Sequence, residues 1–574
     1  MSPDTASKPV PVVLCWHMHQ PDYRNHQNGH YDFPWTYLHA LKDYSDMLRH
    51  LQAQPQARAV VNFSPILLEQ LEDYREQVDG WLDKAIPIRD SILAALVQET
   101  LPEPGSDAFW TLANHCLRAQ RGRMIERFPA YRFLADTMDV IAENPQQQCY
   151  LNPQYLIDLV VWYHLAWLGE FVRREDPRVN ALEAKGGGFT PEDRTALMEV
   201  IANQFRVLKP GYKQLWEEGR IELSMSPYAH PILPLLLDFA SAREAMPDVV
   251  LPKHDHYPGG RARAQWHIER GLDVFERYFG GRPSGCWASE GALSDATLTL
   301  LEESGFFWTA TGDSVLHNSL QNQARSPHEH TVAHRAFTVP GQSLRCFFRD
   351  DGLSDLIGFQ YADWHAEDAV GDLINHMVSI AESSGNPDDT VISIIMDGEN
   401  AWEYYPENAW HFLEALYRRI ATHERLTLTT YHELLSREPP PEPVALDHLV
   451  AGSWVYGTFS TWLGDADKNL AWDRLCDAKR AYDQHHDALD EKAATDAEQQ
   501  LAQCEGSDWF WWLGDYNPAE SVRDFDVLYR RHLSNLYTFL QQPVPENLSH
   551  PLSQGGGSPQ AGGVMRRGHE EHPE

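Results

Sequence analysis

Six apolar, β-branched runs end abruptly in polar residues, and this repetition limits the fold more than any other feature of the 574-residue chain. They are Pro11–His19, Ala59–Ser64, Ile221–Ser226, Phe306–Thr311, Leu344–Asp350 and Thr390–Asp397. Between them lie helical patterns. Ile268, Leu272, Phe275 and Phe279 step by four, three and four, an apolar stripe on a helix that Gly280-Gly281 stops. Near-continuous apolar strands alternating with helices predict an α/β chain with a parallel sheet covered on both faces. In closed barrels of this kind the chemistry sits at the strands' C-terminal ends. His17, His19, Glu222, Glu290 and Asp397 are read as falling at or just after such ends. Any one of them alone is an ordinary turn or cap residue; five together predict a pocket.

The residue types at those ends narrow the chemistry. Positions i and i+2 of a strand share a face, so His17 and His19 project together. Two imidazoles there suit metal ligation with a carboxylate, or hydrogen bonding to sugar hydroxyls beside the rigid corner His19-Gln20-Pro21. The segment "GCWASEGALS" sets Trp287 three residues before Glu290, with a helix starting near Ser294. The segment "TVISIIMDGENAWEYYP" delivers Asp397 into the polar turn Gly398-Glu399-Asn400, followed by Trp402, Tyr404 and Tyr405. Two carboxylates suffice for glycoside hydrolysis, and Glu290 and Asp397 are the candidate pair. Many of the 19 tryptophans stand in polar company, among them Trp454, Trp462 and Trp472, then Trp509, Trp511 and Trp512. Such aromatics either line a sugar-binding groove or staple helices to a barrel.

With 47 basic and 83 acidic residues the formal charge is −36, which repels nucleic acid and anionic bilayers. Seven scattered cysteines without a Cys-x-x-Cys pair argue against a disulfide framework and a thiolate metal site, and fit the cytoplasm. The apolar run Val10–Cys15 is too short for a signal segment, and no window approaches membrane-spanning length. The expected organisation is a catalytic unit over 8–438 with a helical insertion at about 65–215 that contains Gly186-Gly187-Gly188. The proline-rich breaker at 439–443 precedes a helical domain over 444–545, and 546–574 is read as a disordered tail.

Together these segments resemble glycoside hydrolase family 57, the α-glucan-active family of amylases, amylopullulanases, 4-α-glucanotransferases and branching enzymes. "WHMHQP", "GRIELSMSPYAHPILPLL", "GCWASEGALS", "IIMDGENAWEYYP" and "GSWVYGTFSTWLGDADKNLAW" are similar, in order, to its five motifs. One local departure is Ala288-Ser289, where members often carry proline before the nucleophile. The resemblance spans roughly residues 10 to 540. It implies an incomplete (β/α)7 barrel, Glu290 as nucleophile and Asp397 as acid/base of a retaining mechanism on α-1,4-glucans, without a cofactor. It further implies that His17, His19 and Glu222 line the reacting subsite and that Trp287, Trp402 and Trp454 wall the groove. Glu399, Trp462 and Asp467 belong to the same expected groove. Relatives of this barrel include zinc mannosidases and polysaccharide deacetylases. One alternative is therefore a zinc-dependent carbohydrate hydrolase or deacetylase using His17, His19 and Asp397; another is a glycan-binding protein without turnover.

Overall fold

The computed structural model describes residues 8–323, 333–557 and 565–566. Among the described residues, ten strands form one sheet: β1 (Val10–Met18), β2 (Ala59–Phe63), β3 (Ile221–Met225), β4 (Gly285–Cys286), β5 (Trp308–Gly312), β6 (Phe337–Thr338), β7 (Arg345–Arg349), β8 (Ile392–Asp397), β9 (Leu426–Thr429) and β10 (Val444–Ala445). The order is β10-β6-β7-β5-β4-β3-β2-β1-β8, with β9 paired to β1. All ladders are parallel except β6 with β7. The six strong apolar runs are β1, β2, β3, β5, β7 and β8; the short β6, β9 and β10 carry too few apolar residues to be read from sequence.

β7 and β8 bring the curved sheet round on itself, with the Asp350 amide donating to the Ser393 carbonyl and Arg349 Nε to the Ile395 carbonyl, both at 2.8 Å. Alternate residues of the strands face a compact interior of Val13, Cys15, Val60, Trp287, Trp308 and Ile395. The other set, including Val12, Leu14, Trp16 and Met18, packs under the surrounding helices. Burial on both faces is why these strands read as continuous apolar runs. The helix Gly260–Phe279 carries the expected stripe, with Ile268, Leu272, Phe275 and Phe279 buried, and ends at Gly280.

Between β2 and β3 run the inserted helices, from Pro65–Lys84 to the long Pro191–Glu217. The helices Ala466–His485, Glu491–Cys504 and Ala519–Phe539 form the C-terminal bundle. Two boundaries need correction. β10 pairs with β6, so the sheet continues past the proline-rich breaker. Residues 546–557 are not a loose tail: Leu548 and Leu552 are buried, and Ser553 Oγ donates to Asp467 at 2.7 Å. Residues 558–564 and 567–574 of the expected tail lie outside the described residues. Among those described, no helix is long and apolar enough to cross a membrane.

Candidate active site

Strand register assembles the first layer of the site. His17 on β1 stands opposite Asn62 on β2 and Asp397 on β8, and Asn62 stands opposite Ser224 on β3. His17 continues the face of Val13 and Cys15, so the period of two that fills the interior also aims the imidazole out of its mouth. Beyond Asp397 the Gly398 amide donates to the His17 carbonyl at 2.7 Å. A Cβ at Gly398 would come within 2.2 Å of Met18 Sδ, so a side chain there would displace the Met18 thioether.

Glu290 follows β4 in a single turn, Ser289–Gly291, at φ 58° and ψ 22°. That left-handed conformation costs a non-glycine residue about 1–3 kcal/mol, and such strain concentrates at functional sites. Trp454 Nε1 donates to its Oε2 at 3.1 Å and Ser507 Oγ to its Oε1 at 3.2 Å. Burial, then the neighbouring Asp508 and Asp397 carboxylates, push the Glu290 carboxyl up to about 8 against those two hydrogen bonds. Burial raises Asp397 to about 6, opposed by the Asn400 amide at 2.8 Å and by His19 and Arg349. Both carboxylates line one open cleft of about 440 Å³, with His17, His19, His230 and Asp508.

The three imidazoles stack. His19 and His230 lie 3.8 Å apart between ring centres at 18°, and His17 and His230 lie 5.0 Å apart. His17 Nδ1 bonds Asn62 Oδ1 at 2.7 Å and its Nε2 bonds His230 Nε2 at 3.1 Å; His230 Nδ1 bonds Ser507 Oγ at 2.9 Å. His19 reaches Ser64 Oγ at 2.7 Å and Asp508 at 3.0 Å. Burial and the adjacent imidazoles hold His17 at about 3 and His230 well below the usual range, so both are neutral at pH 7. The contacts Asn62, His17, His230, Ser507 and Glu290 thus form one continuous polar series that ends on the Glu290 carboxyl.

A zinc site does not fit this arrangement. Among the described residues the metal-competent group is His19, His230 and Asp508, with ligand atoms within 4.8 Å of one another, not the expected His17, His19 and Asp397. Imidazole lone pairs lie in the ring plane, so the stacked rings direct them side by side instead of converging on a tetrahedral centre. Both His230 nitrogens already have partners.

Of the other expected groove residues, Glu399 and Trp454 line the cleft. Glu399 is nearly buried, and its Oε1 accepts from the His19 amide, Gln20 and Tyr44. Five expectations are corrected. Glu222 is the second residue of β3, level with Val60, and lies inside the barrel below the mouth. Its Oε1 accepts from Ser284 and Trp308, both at 2.6 Å, and its Oε2 from the His432 amide at 2.8 Å, so it has a structural task. Trp287 is fully buried in the interior and offers no face to a sugar; it supports Trp454 edge-on at 5.3 Å. Trp402 is buried against Trp16 and bonds the Gly398 carbonyl. Trp462 is buried under Trp511. Asp467 sits at the start of the helix Ala466–His485, bonded to Ser553, away from the cleft.

His230, Asn62, Ser507 and Asp508 were missed as individual residues. His230 lies within the quoted "SPYAHP", and Ser507-Asp508 directly precede the "WFWW" aromatics, but nothing local marks them. The cleft is also lined by Phe33, Trp35, Trp512 and Phe525. Trp512 stacks on Phe525 at 4.8 Å and 15°.

Residues 13–447 match the model of glycosyl hydrolase family 57. The chain belongs to that family. No curated protein matches its sequence. Among solved structures, it is similar to a GH57-type branching enzyme from the hyperthermophilic archaeon Pyrococcus horikoshii, at 15% identity and a TM-score of 0.55 over 94% of this chain and 93% of that one. It is also similar to the α-amylase AmyC of Thermotoga maritima, at 13% identity and 0.53 over 94% and 95%. A GH57 branching enzyme from Thermococcus kodakaraensis aligns at 14% and 0.51 over 96% and 98%. At such identities the likeness speaks to the fold, the family 57 barrel. Family 57 enzymes are retaining glycoside hydrolases and transferases that act on α-glucans.

Proposed function

We propose that this family 57 enzyme is an amylase-type hydrolase of α-1,4-glucans, with Glu290 as nucleophile and Asp397 as general acid/base. The observation that carries the reading is the pair itself: two carboxylates from the ends of β4 and β8, electrostatically coupled in one open cleft. Glu290, its proton passed to Asp397, attacks the anomeric carbon as a carboxylate while Asp397 gives that proton to the departing glycosidic oxygen, leaving a glucosyl ester on Glu290. Asp397 then takes a proton from the water that cleaves the ester. His17, His19, His230 and Asp508 suit the hydroxyls of the reacting glucose, and Trp454 walls the subsite.

The resting protonation runs the other way, since Glu290 at about 8 binds its proton more tightly than Asp397 at about 6. We favour Glu290 as nucleophile because Trp454 and Ser507 donate to both its oxygens and so stabilise the anion. Positive charge developing at the anomeric carbon favours the same ionisation. Azide rescue decides between the roles. Glu290→Ala with an activated α-glucoside gives the β-glucosyl azide, and Asp397→Ala gives the α-azide; the opposite outcome exchanges them.

Glucan transfer is a second reading, favoured by the aromatic lining of the cleft, which offers stacking surface to an acceptor sugar. Maltotriose incubated with the enzyme yields shorter products only under hydrolysis and longer chains under transfer.

A further inference from the structure

From the C-terminal part of the chain Asp508 lines the cleft and buried Ser507 bonds Glu290, and the residue two positions before Ser507 is a fully buried carboxylate, Glu505. Glu505 lies outside the cleft lining, yet both of its oxygens are fully engaged. Its Oε1 accepts from Tyr257 at 2.5 Å and Arg263 Nε at 2.9 Å; its Oε2 accepts from Arg263 Nη2 at 2.9 Å and His267 Nε2 at 2.7 Å. The Ala229 amide donates to His267 Nδ1 at 3.3 Å, which leaves the ring proton on Nε2, facing Glu505. Tyr257, Arg263 and His267 belong to the barrel side, on and just before the helix Gly260–Phe279.

The same contacts fix the His230 loop. The Tyr228 amide donates to the His267 carbonyl and the Ser507 amide to the His230 carbonyl, both at 2.9 Å. Gly506 passes so close that a Cβ would lie 3.0 Å from the Ala229 carbonyl oxygen. The turn from Glu505 to Asp508 is thus pinned at one end by Glu505 and delivers two side chains at the other: Ser507 to Glu290 and Asp508 to His19.

We propose that Glu505 is a positioning residue for the catalytic carboxylate: clamped by Tyr257, Arg263 and His267, it fixes the turn that holds Ser507 and Asp508 against Glu290 and His19. This rests on the reading of Glu290 as a reacting group. Glu290 faces Asp508 and Asp397 as charged neighbours and the imidazole of His230 at 3.8 Å; Glu505 faces Arg263, His267 and Tyr257, with Glu498 reaching Arg263 from outside at 3.6 Å. Charge removed at Glu505 frees the turn, takes Asp508 away from Glu290 and lets the Glu290 carboxyl ionise at lower pH.

The test uses the full chain carrying Glu505→Gln. The expected variant keeps the wild-type circular dichroism and loses about 10²-fold in kcat on maltodextrin with little change in KM. The protonated-carboxyl infrared band that Glu290→Gln abolishes titrates at lower pH than in the wild type. Tyr257→Phe removes one hydrogen bond without removing charge; it gives both changes in smaller degree and replaces Glu505→Gln if that chain does not fold. Wild-type kcat together with a wild-type Glu290 titration in the folded variant overturns the proposal. The infrared titration needs no substrate. A wild type inactive on glucans therefore refutes the functional reading, while the band alone decides the role of Glu505.

Discussion

Glu290, partly buried, and Glu505, fully buried, lie on opposite sides of one short turn and hold their protons in opposite ways. Glu505 takes four well-formed hydrogen bonds from an arginine, a histidine and a tyrosine, and the Arg263 charge holds it down at about 2 despite burial. Glu290 has two neutral donors and two carboxylates for neighbours, and rises to about 8. Burial penalises both anions; the count and charge of the donors decide which survives. A fully satisfied carboxylate suits a clamp. A half-satisfied one beside open space suits chemistry, because substrate must supply what the protein leaves out.

The comparison breaks most sharply at Glu290. Glu290→Gln keeps shape and burial and is expected to lower kcat/KM on maltodextrin by at least about 10⁴-fold, while calorimetry still detects maltoheptaose binding. Near-wild-type turnover would remove Glu290 from the reaction.

The clamp side is sharpened by acid unfolding. The Glu505 carboxyl is depressed from 4.5, so its contribution to stability is complete above that pH and is lost as pH falls toward about 2. Urea unfolding should show the wild type losing stability across this window. Glu505→Gln, with Arg263 left only its longer contact to Glu498 at 3.6 Å, should be less stable by about 3–5 kcal/mol at pH 7 and flatter with pH below 4.5. A variant as stable as the wild type would mean that the pair contributes nothing net.

The smallest effect belongs to Glu222, the acid that sequence places in the site and the structure removes from it. Glu222→Gln sets an amide donor against the His432 amide and is expected to cost about 1–3 kcal/mol in thermal unfolding. Steady-state kcat/KM on maltodextrin should stay within about 3-fold of the wild type. A large kinetic loss without a stability loss would return Glu222 to the site.

Much of this was legible in the residues because it is periodic. Strand alternation aligns His17 with Cys15 and Val13, and a seven-residue apolar run can end in Asp397-Gly398-Glu399 only where backbone leaves a buried sheet. Glu222 misled because a five-residue strand shows its ends poorly: the acid sits near the start of β3, where three donors from distant segments neutralise its cost. Tryptophans misled for a related reason. Polar flanks put Trp402 and Trp462 on a surface by composition, yet both are buried beneath neighbouring elements.

The sequence alone determined the alternation of strands and helices, the face on which His17 lies and the family to which its motifs belong, because these follow from spacing along the chain. Only the tertiary structure decided that Asp508 enters the cleft and Ser507 meets Glu290, that Glu505 is clamped two residues away, and that Glu290 rather than Asp397 is the more reluctant acid. Those outcomes depend on distances between segments more than 200 residues apart, and the electric field at a buried carboxyl is the sum over whatever folding brings near it.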